Sequence, residues 1–123
     1  MKMDALVQSL GAEALPWSSK TDCCGGSLGL TQTDASLKLT ARILANARAC
    51  GADVVATLCP LCHMNLDVRQ QRLSGPPLPV MHATQLMLLA FGTEERRLLL
   101  DRALVDARPL LRARRLLGPM AQN

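Results

Sequence analysis

The sequence predicts an α/β fold, a small parallel sheet with flanking helices, and three observations carry that prediction. Short β-branched runs alternate with longer segments whose apolar residues recur at helical spacing. Glycines and prolines stand at the joints between them. Four of the five cysteines cluster in two groups, each following a predicted strand. Strands separated by helices pair in parallel, because the crossover returns the chain to the same end of the sheet.

Taken in order, Met3 to Leu10 reads as a short helix with Leu6, Val7 and Leu10 along one side and Gly11 ending it. Ala12 to Pro16 reads as a brief strand stopped by its proline. The polar stretch Trp17 to Asp22 leads into Cys23-Cys24-Gly25-Gly26, where consecutive glycines predict a loop that approaches a bulky ligand closely. Thr33 or Asp34 caps a long helix through Ala49, with Leu37, Ile43, Leu44 and Ala47 on its apolar side and Gly51 ending it. Asp53 to Leu58 is a β-branched run suited to a buried parallel strand. Cys59-Pro60-Leu61-Cys62 follows at once, with Cys59 at the N-cap and Pro60 at the first position of a helix reaching about Leu73.

Ser74 to Pro77 is a loop, Leu78 to Met81 another short strand, and Ala83 to Ala90 a helix ended by Gly92. Residues 93–123 read as a helical, arginine-rich tail, interrupted at Pro109 and finished at Gly118-Pro119. The 123 residues fit one domain, or part of one, of Rossmann-like arrangement, without internal repeats.

Composition narrows the function. Hydrophobic residues make up 49% of the chain, enough for a core, but aromatic residues only 2%, so the core is aliphatic and base-stacking surfaces are disfavoured. From Glu94 onward seven arginines face only Glu94, Glu95, Asp101 and Asp106, which accounts for much of the +4 net charge. Leucines and a valine interleave those arginines, a pattern of amphipathic packing rather than of nucleic-acid binding. No signal peptide and no apolar stretch near the ~20 residues of a membrane span is visible, so the chain reads as cytoplasmic. In a reducing compartment five cysteines point to metal or redox chemistry rather than structural disulfides.

Cys23, Cys24, Cys59 and Cys62 are the candidate ligands. Both groups follow predicted strands at the carboxyl edge of the sheet, where open α/β sheets bind ligands. Gly25 to Leu58, 34 residues, form one helix-and-strand crossover between them. Four thiolates suit zinc or an iron–sulfur cluster. Adjacent cysteines are awkward for one tetrahedral ion and easier for a cluster with several irons. A thioredoxin-like dithiol at Cys59 and Cys62 leaves Cys23 and Cys24 unexplained. Cys50 reads as a small buried hydrophobe, His63 and His82 as helix-end or loop histidines, and Met64, Met81 and Met87 as core fillers.

With these residues in place the chain resembles the cysteine-rich CCG domain found in the B subunit of heterodisulfide reductase and in related iron–sulfur oxidoreductase subunits. The likeness runs from Met3-Asp4-Ala5-Leu6-Val7 through Thr21-Asp22-Cys23-Cys24-Gly25-Gly26-Ser27-Leu28 and Ala52-Asp53 to Cys59-Pro60-Leu61-Cys62-His63-Met64-Asn65-Leu66-Asp67. It continues at Leu78-Pro79-Val80 and Thr84-Gln85-Leu86, and the Asn65-Leu66-Asp67 and Thr84-Gln85-Leu86 matches point to the carboxyl-terminal copy of the domain. The resemblance implies a noncubane [4Fe–4S] cluster held by Cys23, Cys24, Cys59 and Cys62, reducing a disulfide by one-electron steps; related copies are associated with zinc.

The family pattern carries a further cysteine upstream, and residues 1 to 22 contain none. The expectation is therefore an amino-terminally shortened domain or a split subunit, lacking the first strand and open to dimerisation through the exposed sheet edge. Two functions follow: an oxidoreductase subunit that works with the other subunits of a redox complex, or a zinc-stabilised or metal-free scaffold that binds partner subunits.

Overall fold

A computed structural model describes residues 2–17 and 33–117. The expected Cys23-Cys24-Gly25-Gly26 loop lies outside them. The element order is α1 (Lys2–Ser9), α2 (Thr33–Ala49), β1 (Val55–Thr57), α3 (Pro60–Arg69), β2 (Val80–His82), α4 (Ala83–Ala90) and α5 (Arg108–Ala113). Short 3-10 turns occupy Gln70–Arg72, Glu95–Leu98 and Leu100–Arg102. β1 and β2 pair in parallel, Val55 opposite Val80, Ala56 opposite Met81 and Thr57 opposite His82. The α/β class and the parallel pairing are as the sequence predicts.

The sheet is covered on both faces, because neighbouring residues of a strand point to opposite sides. Val55 and Val80 join Ile43, Leu44, Ala47, Leu66 and Leu78 in one core, which α2 and α3 roof. Met81, one residue on, joins Leu98, Leu100, Ala107 and Leu111 in a second core on the other side. Burying one leucine such as Leu44, fully enclosed, contributes about 1.5–3 kcal/mol. Met81 is a core filler as predicted, at 1% exposure, whereas Met64 is 55% exposed and fills nothing.

Helix ends follow the sequence closely. α2 closes with Gly51 N–H donating to Arg48 O and Ala52 N–H to Ala47 O, at 3.0 and 3.1 Å. This cap needs a left-handed residue, and Gly51 supplies it with φ +80°. α4 ends the same way at Gly92, φ +77°, through bonds from Gly92 to Leu89 and Thr93 to Leu88.

Two expectations are corrected. Ala12 to Pro16 forms no strand: Pro16 has no N–H for a ladder, and Ala12, Glu13 and Pro16 are exposed. The segment after Gly92 is not a helix interrupted at Pro109. It runs as two 3-10 turns, and Pro109 sits in the first turn of α5, where its missing N–H costs nothing. The 3-10 turns have a packing cause. Leu98 and Leu100 are 1% and 4% exposed while Leu99 is 54% exposed. Residues two apart cannot share the buried side of an α-helix, so Leu99 adopts a left-handed φ of 57° and sends both neighbours inward.

Side chains then tie the chain's distant parts together. Gln70 acts as a surrogate strand partner, its Nε2 donating to Leu78 O at 2.7 Å and its Oε1 accepting from Leu78 N–H at 2.9 Å. Asp67, 4% exposed, accepts from Leu104 and Val105 N–H at 2.8 and 2.9 Å, so α3 anchors the arginine-rich segment. Replacing Asp67 by Ala leaves both amides unpaired and is expected to lower unfolding free energy by about 2–3 kcal/mol in urea titrations; an unchanged midpoint would show that the anchor contributes nothing.

Candidate metal centre

Cys59 sits where β1 becomes α3. Its backbone is extended, φ −98° and ψ 121°, as an N-cap requires, and Pro60 opens the first helical turn. The Cys59 carbonyl already accepts from His63 N–H at 3.0 Å. Its side chain is exposed and Cys62, one turn on, is half-buried against the core of Val55 and Leu66.

The helix start tunes the sulfur. The Cys62 and Leu61 amides hold the Cys59 pKa below the ordinary thiol value, against an opposing effect of desolvation and with a lesser contribution from the Cys62 thiol. A helix N-terminus favours anions because its first amides lack intrahelical acceptors. Cys59 is thus poised toward the thiolate, the form that binds metal and attacks disulfides.

His82 fixes the position of this turn. Its Nε2–H donates to Leu58 O at 2.8 Å, and Leu58 immediately precedes Cys59. Its Nδ1 accepts from Thr84 N–H at 3.2 Å and lies 2.8 Å from Thr84 Oγ1. With Gln85 Oε1 accepting from His82 N–H at 2.9 Å, His82 and Gln85 form a reciprocal box at the start of α4. His82 is therefore a structural helix-end histidine, as the sequence suggests. His63 is partly buried, and desolvation lowers its pKa, with Asp67 opposing that effect and His82 adding to it.

The roof of the site is polar. Asn65 Nδ2 donates to Thr40 Oγ1 at 3.2 Å and lies 3.4 Å from Ser36 Oγ, and Arg69 Nε donates to Asn65 Oδ1. Ser36 and Thr40 are fully buried on α2, so this network registers α2 against the helix that carries both cysteines. Leu37, expected on that side of α2, is only half-buried. The sequence does not announce Asn65 and its partners as a group, since their pairing spans 25 or more residues.

A cavity of about 850 Å³ adjoins the cysteines. Thr57, Cys59, Cys62, Val55, Ile43 and Leu66 border it, as does Cys50. Cys50, expected as a small buried hydrophobe, is half-buried, with its Sγ donating to Ala47 O at 3.1 Å. Among the described residues Thr57 Oγ1 has no hydrogen-bond partner, although the residue is only 9% exposed. A buried unpaired hydroxyl costs about 1–3 kcal/mol. Soft thiols at a helix start, an orphaned donor and an adjoining cavity together fit a sulfur-ligated centre. Among the described residues no three His, Cys, Asp or Glu side chains gather into a metal-holding group; the expected ligands Cys23 and Cys24 lie outside those residues.

Comparison with known proteins bears on the same residues. The cysteine-rich domain family, CCG, matches residues 1–67. A membrane anchor subunit of the 8-methylmenaquinol:fumarate reductase of Wolinella succinogenes is 33% identical over 112 residues, covering 87% of this chain and 39% of that protein. The B subunit of the ferredoxin/F(420)H(2)-dependent CoB-CoM heterodisulfide reductase of Methanosarcina acetivorans is 33% identical over 96 residues, covering 72% of this chain and 32% of that protein. The corresponding subunit of the ferredoxin:CoB-CoM heterodisulfide reductase of Methanosarcina mazei is 31% identical over the same length. The chain spans less than two-fifths of each of these relatives. Although one of them is named a membrane anchor, no helix among the described residues is long and apolar enough to cross a membrane.

The lowered Cys59 pKa predicts a reactivity order. In metal-free, reduced protein, iodoacetamide labels Cys59 before Cys50, and the Cys59 rate rises with pH and levels off below the pH where an ordinary thiol does. Site-resolved mass spectrometry reads both; a Cys59 rate that follows an unstructured cysteine would contradict the tuning by the helix start.

Proposed function

The chain belongs to the CCG cysteine-rich domain family, and from that premise we propose that it is the iron–sulfur module of a heterodisulfide-reductase-like redox subunit. Cys59 and Cys62, with Cys23 and Cys24 from the segment before α2, hold the centre. The observation that carries this reading is the position of Cys59 as N-cap and Cys62 one turn later, at the carboxyl end of the parallel strands and beside a cavity.

The chain's own residues supply the binding chemistry. Leu61 and Cys62 amides stabilise the thiolate of Cys59. His82 holds the turn through the Leu58 carbonyl, and Asn65 registers α3 beneath α2. Half-buried Cys62 offers one ligand at the edge of the aliphatic core, which excludes water from that side. When bound, a [4Fe–4S] cluster supplies one-electron transfer to a disulfide substrate. The relatives named as reductase subunits support a partnered role, so electrons reach this module from other subunits of a complex.

Iron and acid-labile sulfide analysis of anaerobically purified protein tests the reading. Iron and sulfide in matching amounts are expected. Cys59→Ser and Cys24→Ser should each lose at least the roughly tenfold in metal affinity that removing even an outer-shell partner costs, whereas Cys50→Ser keeps the wild-type content. Stoichiometric zinc without sulfide, or equal loss in all three variants, would overturn it.

A further inference from the structure

Thr57 is the last residue of β1 and shares a face of the sheet with Val55, two residues before it. That face carries the core against which Cys62 packs. Thr57, Cys59 and Cys62 border the same cavity. Yet the Thr57 hydroxyl is sealed from solvent and meets no hydrogen-bond partner among the described residues. Valine would fill this strand position with the same shape and no polar atom to satisfy, so packing does not explain a threonine here.

Resting on the iron–sulfur reading above, we propose that Thr57 is a positioning and tuning residue whose hydroxyl donates a hydrogen bond to a sulfur atom of the bound centre. Strand geometry favours this role. Thr57 is fixed by its pairing with His82, and the same histidine holds the Leu58 carbonyl. The donor and the two cysteines of the α3 start therefore stand on one rigid span, Thr57 to Cys62. A donor to sulfur stabilises the more negative, reduced state, so it raises the reduction potential of the centre.

The test compares Thr57→Val and Thr57→Ser in the full chain, each prepared anaerobically and poised in a redox titration followed by visible absorbance and electron paramagnetic resonance. Thr57→Val is expected to shift the reduced-to-oxidised ratio at fixed potential toward the oxidised form by about tenfold, close to 59 mV for a one-electron couple. Thr57→Ser keeps the wild-type ratio. Loss of iron from the valine variant alone, with an unchanged denaturation midpoint of the metal-free protein, supports the same role.

Wild-type behaviour in both variants overturns the proposal while leaving the iron–sulfur reading intact. Equal change in both also overturns it, because the methyl group rather than the hydroxyl is then responsible. A wild-type protein without iron or sulfide overturns both the proposal and the reading beneath it.

Discussion

One hydrogen bond organises the region that matters: the His82 imidazole donating to the Leu58 carbonyl at 2.8 Å. Two strands of three residues each are too short to fix a loop by ladder bonds alone. His82 adds a side-chain bond at the very end of the ladder, where β1 leaves the sheet. Because the same ring caps α4, the start of that helix and the start of α3 are held to a common point. Cys59 inherits its place from this arrangement. A displaced Leu58 carbonyl would move the N-cap, and with it the amides that favour a thiolate.

The second constraint is coverage of the sheet. Val80 and Met81 commit adjacent residues to opposite cores, so the strands are stable only with material on both faces. α2 and α3 supply one side. The arginine-rich segment supplies the other through Leu98, Leu100, Ala107 and Leu111. The Arg112–Glu95 pair is half-buried, and the exposed charges are largely matched: Arg96 with Glu94, Arg102 with Asp101, Arg108 with Asp106 and Arg114 with Asp53. Such exposed pairs are worth little individually, about 0–1 kcal/mol. The segment's contribution to stability comes from its leucines and from the Asp67 anchor.

What can be read in the sequence is local. Cys59-Pro60 announces a helix start with two residues, Gly51 and Gly92 announce helix ends with one, and the helix expected from about Ala83 to Ala90 is found there. Asn65-Leu66-Asp67 and Thr84-Gln85-Leu86 are legible only as family likeness. The structure gives each a task, since Asn65 registers two helices, Asp67 anchors a distant segment, and Thr84 and Gln85 lock His82. The rest is hidden because it depends on separation in sequence. Gln70 completing the approach to β2, Leu98 and Leu100 forcing 3-10 turns, and Thr57 left without a partner among the described residues are consequences of packing that no window of a few residues contains. His82 is half visible: a residue three positions before a glutamine at a helix start is a capping pattern, with imidazole in place of the usual hydroxyl.

In the proposed centre, four sulfurs from two separate segments grip one inorganic group at the carboxyl end of β1. Anomalous diffraction from an anaerobically grown crystal, collected at the iron and zinc edges, addresses it directly. An iron peak in contact with the sulfurs of Cys59 and Cys62 and with those of Cys23 and Cys24 is expected. A zinc peak there, or Cys23 and Cys24 on the far face of the sheet from Cys59, would contradict it.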